Sequence, residues 1–398
     1  MQVENDMNKK IYIVLHTLSV GGAERHASSI ANYLAKHGYS VTVVLLDNNV
    51  VAYDLIKSVS VVALCDLLYP ERIQNYKPSF FSAVKLKAYG VLSKKKYNAL
   101  DKYLYLYANY ISKLECFFAT KQDVGESTVI SFMPIPNLVC SAVKQKYDYK
   151  LILGEFSSPH LEYAEDSPEN QLKRKLFVNA DGFVFQTDEQ REFYNYLSSV
   201  KKVIIPNPIE EITVHPFEGS RRKEIVNFCR LVKAKNIPLL IEAFSRIASE
   251  FSDYSLVLYG DGPEKEIITD CIKRYGLDSK VYLHPFEKDV LDRVRESAMF
   301  VSSSNREGIS NSMLEAMAIG LPVICTDCPA GGARMMIRTY ENGILVPAND
   351  PDALYQAMKY MIEHPADAAR MAKEAVTIRE ILNKEIIMSK WKSFIESI

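Results

Sequence analysis

The sequence has almost no net charge and no long apolar run. Lys and Arg number 48 against 49 Asp and Glu, a formal net charge of -1. That balance gives no bulk electrostatic attraction for nucleic acid, and no nucleic-acid partner is expected. No stretch reaches the roughly 20 apolar residues that a membrane-spanning helix needs. The first ten residues are polar and the apolar run behind them is short, so no secretory leader is expected. The first strand-turn-helix lacks G-x-G-x-x-G, which disfavours a dinucleotide cofactor. Cysteine is sparse, scattered and odd in number, seven in all. This excludes a disulfide framework and points to a reducing compartment. Cys325-Thr326-Asp327-Cys328 is a lone C-x-x-C, and without a second pair no zinc site is expected. The expected setting is the cytoplasm, with peripheral attachment to the inner face of the cell membrane as the one membrane option.

What remains is a globular composition, 48% hydrophobic and 24% charged over 398 residues, enough for about two domains. One stretch stands out. Ala298, Met299, Phe300 and Val301 read as a buried strand. A polar loop follows, then a helix with Met313, Leu314 and Met317 on one face. Gly320 and Pro322 stop it, and a second apolar run begins. Strand-loop-helix units bind ligands where the loop meets the helix N-terminus. Backbone N–H groups around Gly308, Ile309 and Ser310, ahead of Asn311, are expected to be free for a phosphate. Glu307 stands on the loop and Glu315 on the helix. Carboxylates bind phosphate poorly but accept well from sugar hydroxyls, so one can hold a ribose and the other a hexose. That layout suits a nucleotide sugar.

Glu307 and Glu315, with seven residues between them, resemble the E-x7-E motif of the retaining GT-B glycosyltransferases, in particular glycosyltransferase family four. The flanking words Leu314-Glu315-Ala316-Met317-Ala318 and Gly320-Leu321-Pro322-Val323 resemble that family closely. The resemblance covers nearly the whole chain. It implies an α/β protein of GT-B fold: two Rossmann-like parallel-sheet domains facing across a cleft. It also implies hexosyl transfer with retention of configuration, with Glu315 on the ribose and Glu307 on the transferred hexose.

The rest of the chain reads accordingly. Apolar runs at 11–15 and 41–46 flank a helix and open a βαβ pattern. The Gly21-Gly22 turn between them is either a tight turn or a close approach of backbone to the donor phosphates, and the words around it resemble the family's first loop. Residues 66–121 are rich in Lys and Tyr. Residues 77–107, with Lys94, Lys95 and Lys96, read equally as a basic face for anionic membrane and as a solvated helix surface. Further strand-like runs lie at 129–132, 151–153, 180–185 and 203–205. Glu155 and His160, after the run at 151–153, are the candidate acceptor-binding residues. Phe156 stands where relatives often carry a histidine. Thr187 and Gln190 form an N-capping pattern. Residues 209–222 lack periodicity and serve as the hinge.

The second half restarts with runs at 224–229, 254–259, 281–283, 298–301, 322–325 and 343–346. Arg230 and Lys235 lie on a strand-to-helix loop, where an Arg fork and a Lys point charge can neutralise a leaving pyrophosphate. They resemble a family stretch in which Cys229 replaces a glycine. By the same resemblance Gly260 sits under the nucleotide, and Pro285 lies in the turn that holds the base. Asp350-Pro351-Asp352 is formally a metal-binding D-x-D, but Asp before Pro at a helix start reads as an N-cap. Neither a cofactor nor a catalytic metal is expected. Ile387, Trp391, Phe394, Ile395 and Ile398 share a helical face that needs a partner.

The expected domains are 1–208 for the acceptor, 222–380 for the nucleotide sugar, and a terminal helix at 381–398 packing back on the first. The expected function is transfer of a hexosyl or N-acetylhexosaminyl group, from a donor expected to be UDP-linked, to a glycan or lipid-linked glycan in surface polysaccharide synthesis. Catalysis is assigned to Glu307, Arg230 and Lys235. A non-catalytic nucleotide-sugar binding module, and an epimerase or phosphorylase on the same fold, remain as rivals.

Overall fold

The computed structural model describes residues 9–19, 21–67, 97–163 and 167–398. The chain divides into two units. One comprises Met1–Phe185, Arg191–Ile205 and Met388–Ile398; the other comprises Gln186–Gln190 and Pro206–Ile387. Each is built on one parallel sheet.

The strands of the first unit are β1 (Lys10–Leu15), β2 (Ser40–Leu45), β3 (Ser60–Ala63), β4 (Thr128–Phe132), β5 (Lys150–Glu155), β6 (Gly182–Phe185) and β7 (Lys201–Ile204). They lie in the order β3-β2-β1-β4-β5-β6-β7. Six of the seven coincide with expected runs to within two residues. β3 was not expected. Val61-Val62-Ala63-Leu64 is a short apolar run, but Ser60–Ala63 is an edge strand with its first half exposed. The central strands β1, β4 and β5 are buried almost throughout, as strands covered on both faces must be. Tyr12 of β1 meets Phe117 and Phe118 edge-on, at 5.9 and 5.2 Å. Those two rings come from the helix Tyr97–Ala119.

The second unit holds β8 (Arg222–Phe228), β9 (Ser255–Tyr259), β10 (Val281–His284), β11 (Ser297–Ser302), β12 (Val323–Asp327) and β13 (Ile344–Pro347). Their order is β10-β9-β8-β11-β12-β13. All six match expected runs to within two residues. The helix Ile237–Glu250 buries Leu240, Ile241, Phe244 and Ile247 in a core with Leu256, Met299 and Met358.

The caps follow the residue types. Asp350 accepts from Ala353 N–H at 2.9 Å, with Pro351 as the first helical residue. Thr187 Oγ1 accepts from Gln190 N–H, while Gln190 Oε1 accepts in return from the Gln186 and Thr187 N–H groups. The terminal helix Lys384–Glu396 groups with the first unit from Met388 onward. Trp391 is fully buried, 5.7 Å from the rings of both Phe132 and His26. No helix among the described residues is long and apolar enough to cross a membrane. Most of residues 77–107, including Lys94, Lys95 and Lys96, lie outside the described residues.

Candidate functional site

In the second sheet β8 leads to β9 and β10 on one side, and β11 leads to β12 and β13 on the other. The order reverses between β8 and β11. Loops leaving the carboxyl ends of two such strands diverge and leave a crevice, the usual ligand site of open α/β sheets. The β8 loop carries Arg230 and Lys235, and the β11 loop carries Glu307 through Ser310.

Hydrogen bonds lock the two loops together. Asn305 N–H donates to Ala234 C=O at 2.9 Å. Ser303 Oγ donates to the carbonyls of Lys235 and Asn236, both at 3.0 Å. Thr326 Oγ1 donates to Ser304 C=O. Lys235 Nζ lies 2.5 Å from Glu307 Oε2, with side-chain exposures of only 16% and 23%. Ser304 Oγ is a second donor to the same carboxylate oxygen, at 3.4 Å. Burial works against the Lys235 charge, but Glu307 outweighs it and holds the ammonium above the ordinary lysine range. Beside this pair the Cys229 thiol is pushed up to about 11 by burial, so it stays neutral.

Arg230 is exposed on the turn after β8. Gly260 is placed beneath that turn. A Cβ there would stand 1.9 Å from the Cys229 carbonyl oxygen, at a φ of +154°. Gly260 therefore acts through backbone packing, shaping the segment that carries Arg230. Pro285 is exposed on the turn after the edge strand β10, two strands away from β8. Its neighbour Phe286 is 69% exposed and is tied by its N–H to Asp261 Oδ2 at 2.8 Å.

The helix Asn311–Ala318 starts at Ser310, whose hydroxyl accepts from Met313 N–H. Glu315 is half-buried on its second turn. The amides ahead of the helix are not all free, which corrects the expectation. Ile309 N–H donates to Gln186 Oε1 at 3.4 Å, and Ile309 C=O accepts from Asn207 Nδ2 at 3.3 Å. Asn207 Nδ2 also donates to Asn311 Oδ1 at 3.0 Å. The Gly308 and Ser310 amides have no hydrogen-bond partner among the described residues. The loop after β12 closes against the same place. A Cβ on Gly332 would come within 1.8 Å of Gly308 C=O, so only glycine permits this contact.

The other expected site residues belong to the first unit. Gly21 exchanges both backbone groups with one side chain: its N–H donates to Tyr53 Oη at 2.9 Å, and that hydroxyl donates to Gly21 C=O at 2.7 Å. Gly22 is exposed as the first residue of the helix Gly22–Lys36. Glu155 is fully buried. It accepts from Tyr194 Oη at 2.7 Å, Ser157 Oγ at 2.7 Å and Ser157 N–H at 3.0 Å. Burial raises its pKa. A carboxylate so enclosed orders its own loop and is not presented to an acceptor. His160 is exposed, with its ring 5.0 Å from Phe193. Phe156 packs against His26 and Phe132, 5.1 Å from each ring.

The roles of Asn207, Gln186, Ser303 and Thr326 were not legible in the sequence. Asn207 stands between two prolines that have no N–H of their own, which was the available signal. Its partners Ile309 and Asn311 lie more than a hundred residues away.

Residues 209–377 match the family model described as Glycosyl transferases group 1. An uncharacterized glycosyltransferase of Haemophilus influenzae is 23% identical over 395 residues, spanning 98% of this chain and 100% of its own. The N-acetylgalactosamine-N,N'-diacetylbacillosaminyl-diphospho-undecaprenol 4-alpha-N-acetylgalactosaminyltransferase of Campylobacter jejuni is 26% identical over 368 residues, covering 89% of this chain and 90% of its own. Among solved structures, Anabaena HepE in complex with UDP superimposes with a TM-score of 0.73 at 16% identity, over 98% of this chain and 100% of that one.

Proposed function

We propose that this chain, a glycosyltransferase of group 1 built on the GT-B fold, moves a hexosyl or N-acetylhexosaminyl group from a UDP-sugar to a glycan or lipid-linked glycan, with retention of configuration. The carrying observation is the Lys235–Glu307 pair at the reversal point of the second sheet, beside the Gly308 and Ser310 amides. The UDP donor is supported by the ligand of the Anabaena structure. The lipid-linked acceptor is supported by the name of the Campylobacter relative.

The residues divide the work by charge. Arg230 forks onto a pair of diphosphate oxygens. Lys235 has three N–H donors, so it can keep Glu307 and still reach a phosphate oxygen. The free amides and the positive end of the helix Asn311–Ala318 add fixed positive potential. All of this favours the charge that builds on the leaving diphosphate. Glu307 accepts from hydroxyls of the transferred sugar, and Glu315 from those of the ribose. Lys235 engages the Glu307 carboxylate, which blunts it as a nucleophile and disfavours a covalent glycosyl intermediate. In the favoured course the acceptor oxygen attacks the anomeric carbon from the face the diphosphate leaves. The breaking C–O bond gives its electron pair to the phosphate oxygen, and that oxygen takes the acceptor's proton. Asp350 of the D-x-D is occupied as a helix cap, and this reading includes no metal.

A thermal-shift panel of nucleotide sugars tests the donor. A ligand present at a hundred times its Kd stabilises by about 2.7 kcal/mol, so a UDP-sugar raises Tm measurably. If neither UDP nor any nucleotide sugar does so, the reading fails. The anomeric configuration of the product, read by NMR coupling constants, tests retention.

A further inference from the structure

We propose that Gln186 and Asn207 are positioning residues that set the donor loop by holding both backbone groups of Ile309. The inference rests on the reading that residues 307–310 bind the donor.

Gln186 Oε1 accepts from Ile309 N–H, and Asn207 Nδ2 donates to Ile309 C=O. The two side chains are joined, Gln186 Nε2 to Asn207 Oδ1 at 2.5 Å. The same Asn207 amide nitrogen reaches Asn311 Oδ1. Both side chains are almost fully buried, at 2% and 5% exposure, so water does not replace these bonds easily. Ile309 N–H belongs to the Gly308–Ile309 peptide and Ile309 C=O to the Ile309–Ser310 peptide, so the connected pair holds one group in each of two successive peptide planes. Ile309 lies two residues beyond Glu307, between the Gly308 and Ser310 amides. Ile309 C=O shares its plane with Ser310 N–H, so holding that carbonyl fixes where the Ser310 N–H points.

The segment around Gln186 repeats the arrangement on the neighbouring loop. Thr187 Oγ1 donates to Ala330 C=O at 2.5 Å, and Ala330 N–H donates to Glu189 Oε1 at 3.2 Å. Ala330 sits at a φ of +81°, a conformation that non-glycine residues adopt only under constraint. The two held loops touch where Gly332 meets Gly308 C=O. Residues 186–190 thus hold backbone groups of Ile309 and of Ala330 on two loops of the second unit. They follow β6 in sequence yet group with the second unit.

The test compares Asn207→Ala, Gln186→Ala, their double variant and Gln186→Met. Gln186→Met keeps the volume and removes both hydrogen bonds without burying a charge, so it serves if the alanine variants fail to fold. Amide exchange of the peptide covering Ile309, UDP affinity by titration, and donor and acceptor KM are measured on each. The expected result is faster exchange at Ile309, with UDP Kd and donor KM rising together by about tenfold and acceptor KM unchanged. The double variant is no worse than the poorer single one, because the two side chains are bonded to each other and hold the two peptide groups on either side of one Cα. A purely structural role lowers the amount of active enzyme and leaves Kd and KM unmoved, which overturns the inference. UDP binding in the wild type with equal binding in every variant overturns it alone. A wild type that binds no nucleoside diphosphate overturns the donor-site reading and takes this inference with it.

Discussion

Lys235 reaches from the β8 loop to Glu307 on the β11 loop and forms an ion pair that is mostly shielded from water. The pair holds the two loops at the reversal point in register before any donor is present. Removing one partner strands the other charge in a poorly hydrated place, which costs about 3 kcal/mol or more. Lys235→Met is therefore expected to lose roughly that much stability in denaturant unfolding and to lose turnover. Lys235→Met combined with Glu307→Gln recovers most of the stability and none of the turnover. If Lys235→Met is as stable as the wild type, the pair does not organise the loops.

Glu307 and Glu315 should separate in their effects. Glu315→Gln is expected to weaken the sugar nucleotide and bare UDP alike, through the ribose. Glu307→Gln should leave UDP affinity nearly intact and lower kcat, because its contact with the sugar strengthens as positive charge develops at the anomeric carbon. A hydrogen bond to a charged group is worth roughly 1.5–3 kcal/mol, so each loss is on the order of 10- to 100-fold. Calorimetric titration with UDP and steady-state rates on both variants decide it. Wild-type turnover in Glu307→Gln would remove this residue from the mechanism.

What was legible in the sequence was what is local in it. The loop carrying Glu307 and the helix carrying Glu315 follow from an apolar run, a polar loop and a glycine stop within a few dozen residues. The Thr187–Gln190 and Asp350 caps each span three residues, and the hydrogen bonds appear as the spacing predicts. What was not legible depends on which strands are neighbours. Lys235 and Glu307 are 72 residues apart, and only the pairing of β8 with β11 brings them together. Nothing nearby in sequence marks Ile309 as already held by Gln186, 123 residues before it. Glu155 looked available at a strand end, but its Tyr194 and Ser157 partners enclose it.

Residues 77–107 carry the one concentrated basic and aromatic stretch of a nearly neutral chain. Each Lys near an anionic surface contributes roughly 1 kcal/mol. The protein is expected to cosediment with vesicles containing anionic lipid and not with neutral ones, and less so as salt rises. Changing Lys94, Lys95 and Lys96 to Glu should release it while leaving UDP affinity unchanged. Absence of vesicle binding by the unmodified protein at low salt ends the proposal.

His26 gives the first unit an acid-sensitive joint. Its ring lies among Phe132, Phe156 and Trp391, and neither ring nitrogen has a hydrogen-bond partner among the described residues. Burial, with a smaller push from Arg25, lowers its pKa from 6.5 to about 3. The sign follows from where each state binds the proton. Below about pH 6.5 the unfolded chain protonates this imidazole and the folded protein does not. Unfolding therefore gains favourable free energy as pH falls, and the native state loses stability from about pH 6.5 down to about pH 3. The slope approaches 1.4 kcal/mol per pH unit for one site. Above that window the contribution is complete and constant. Glu155, whose pKa is raised by burial, has a pH dependence of opposite sign, so the useful quantity is the difference between two proteins. Urea unfolding of wild type and His26→Phe between pH 7.5 and 4.5 isolates it. The variant is expected to show the shallower loss below pH 6.5, with the two curves parallel above it. Parallel curves throughout would mean that His26 is protonated in the folded state or that the joint opens before the rest of the unit. Faster amide exchange around Trp391 at low pH would identify the second case.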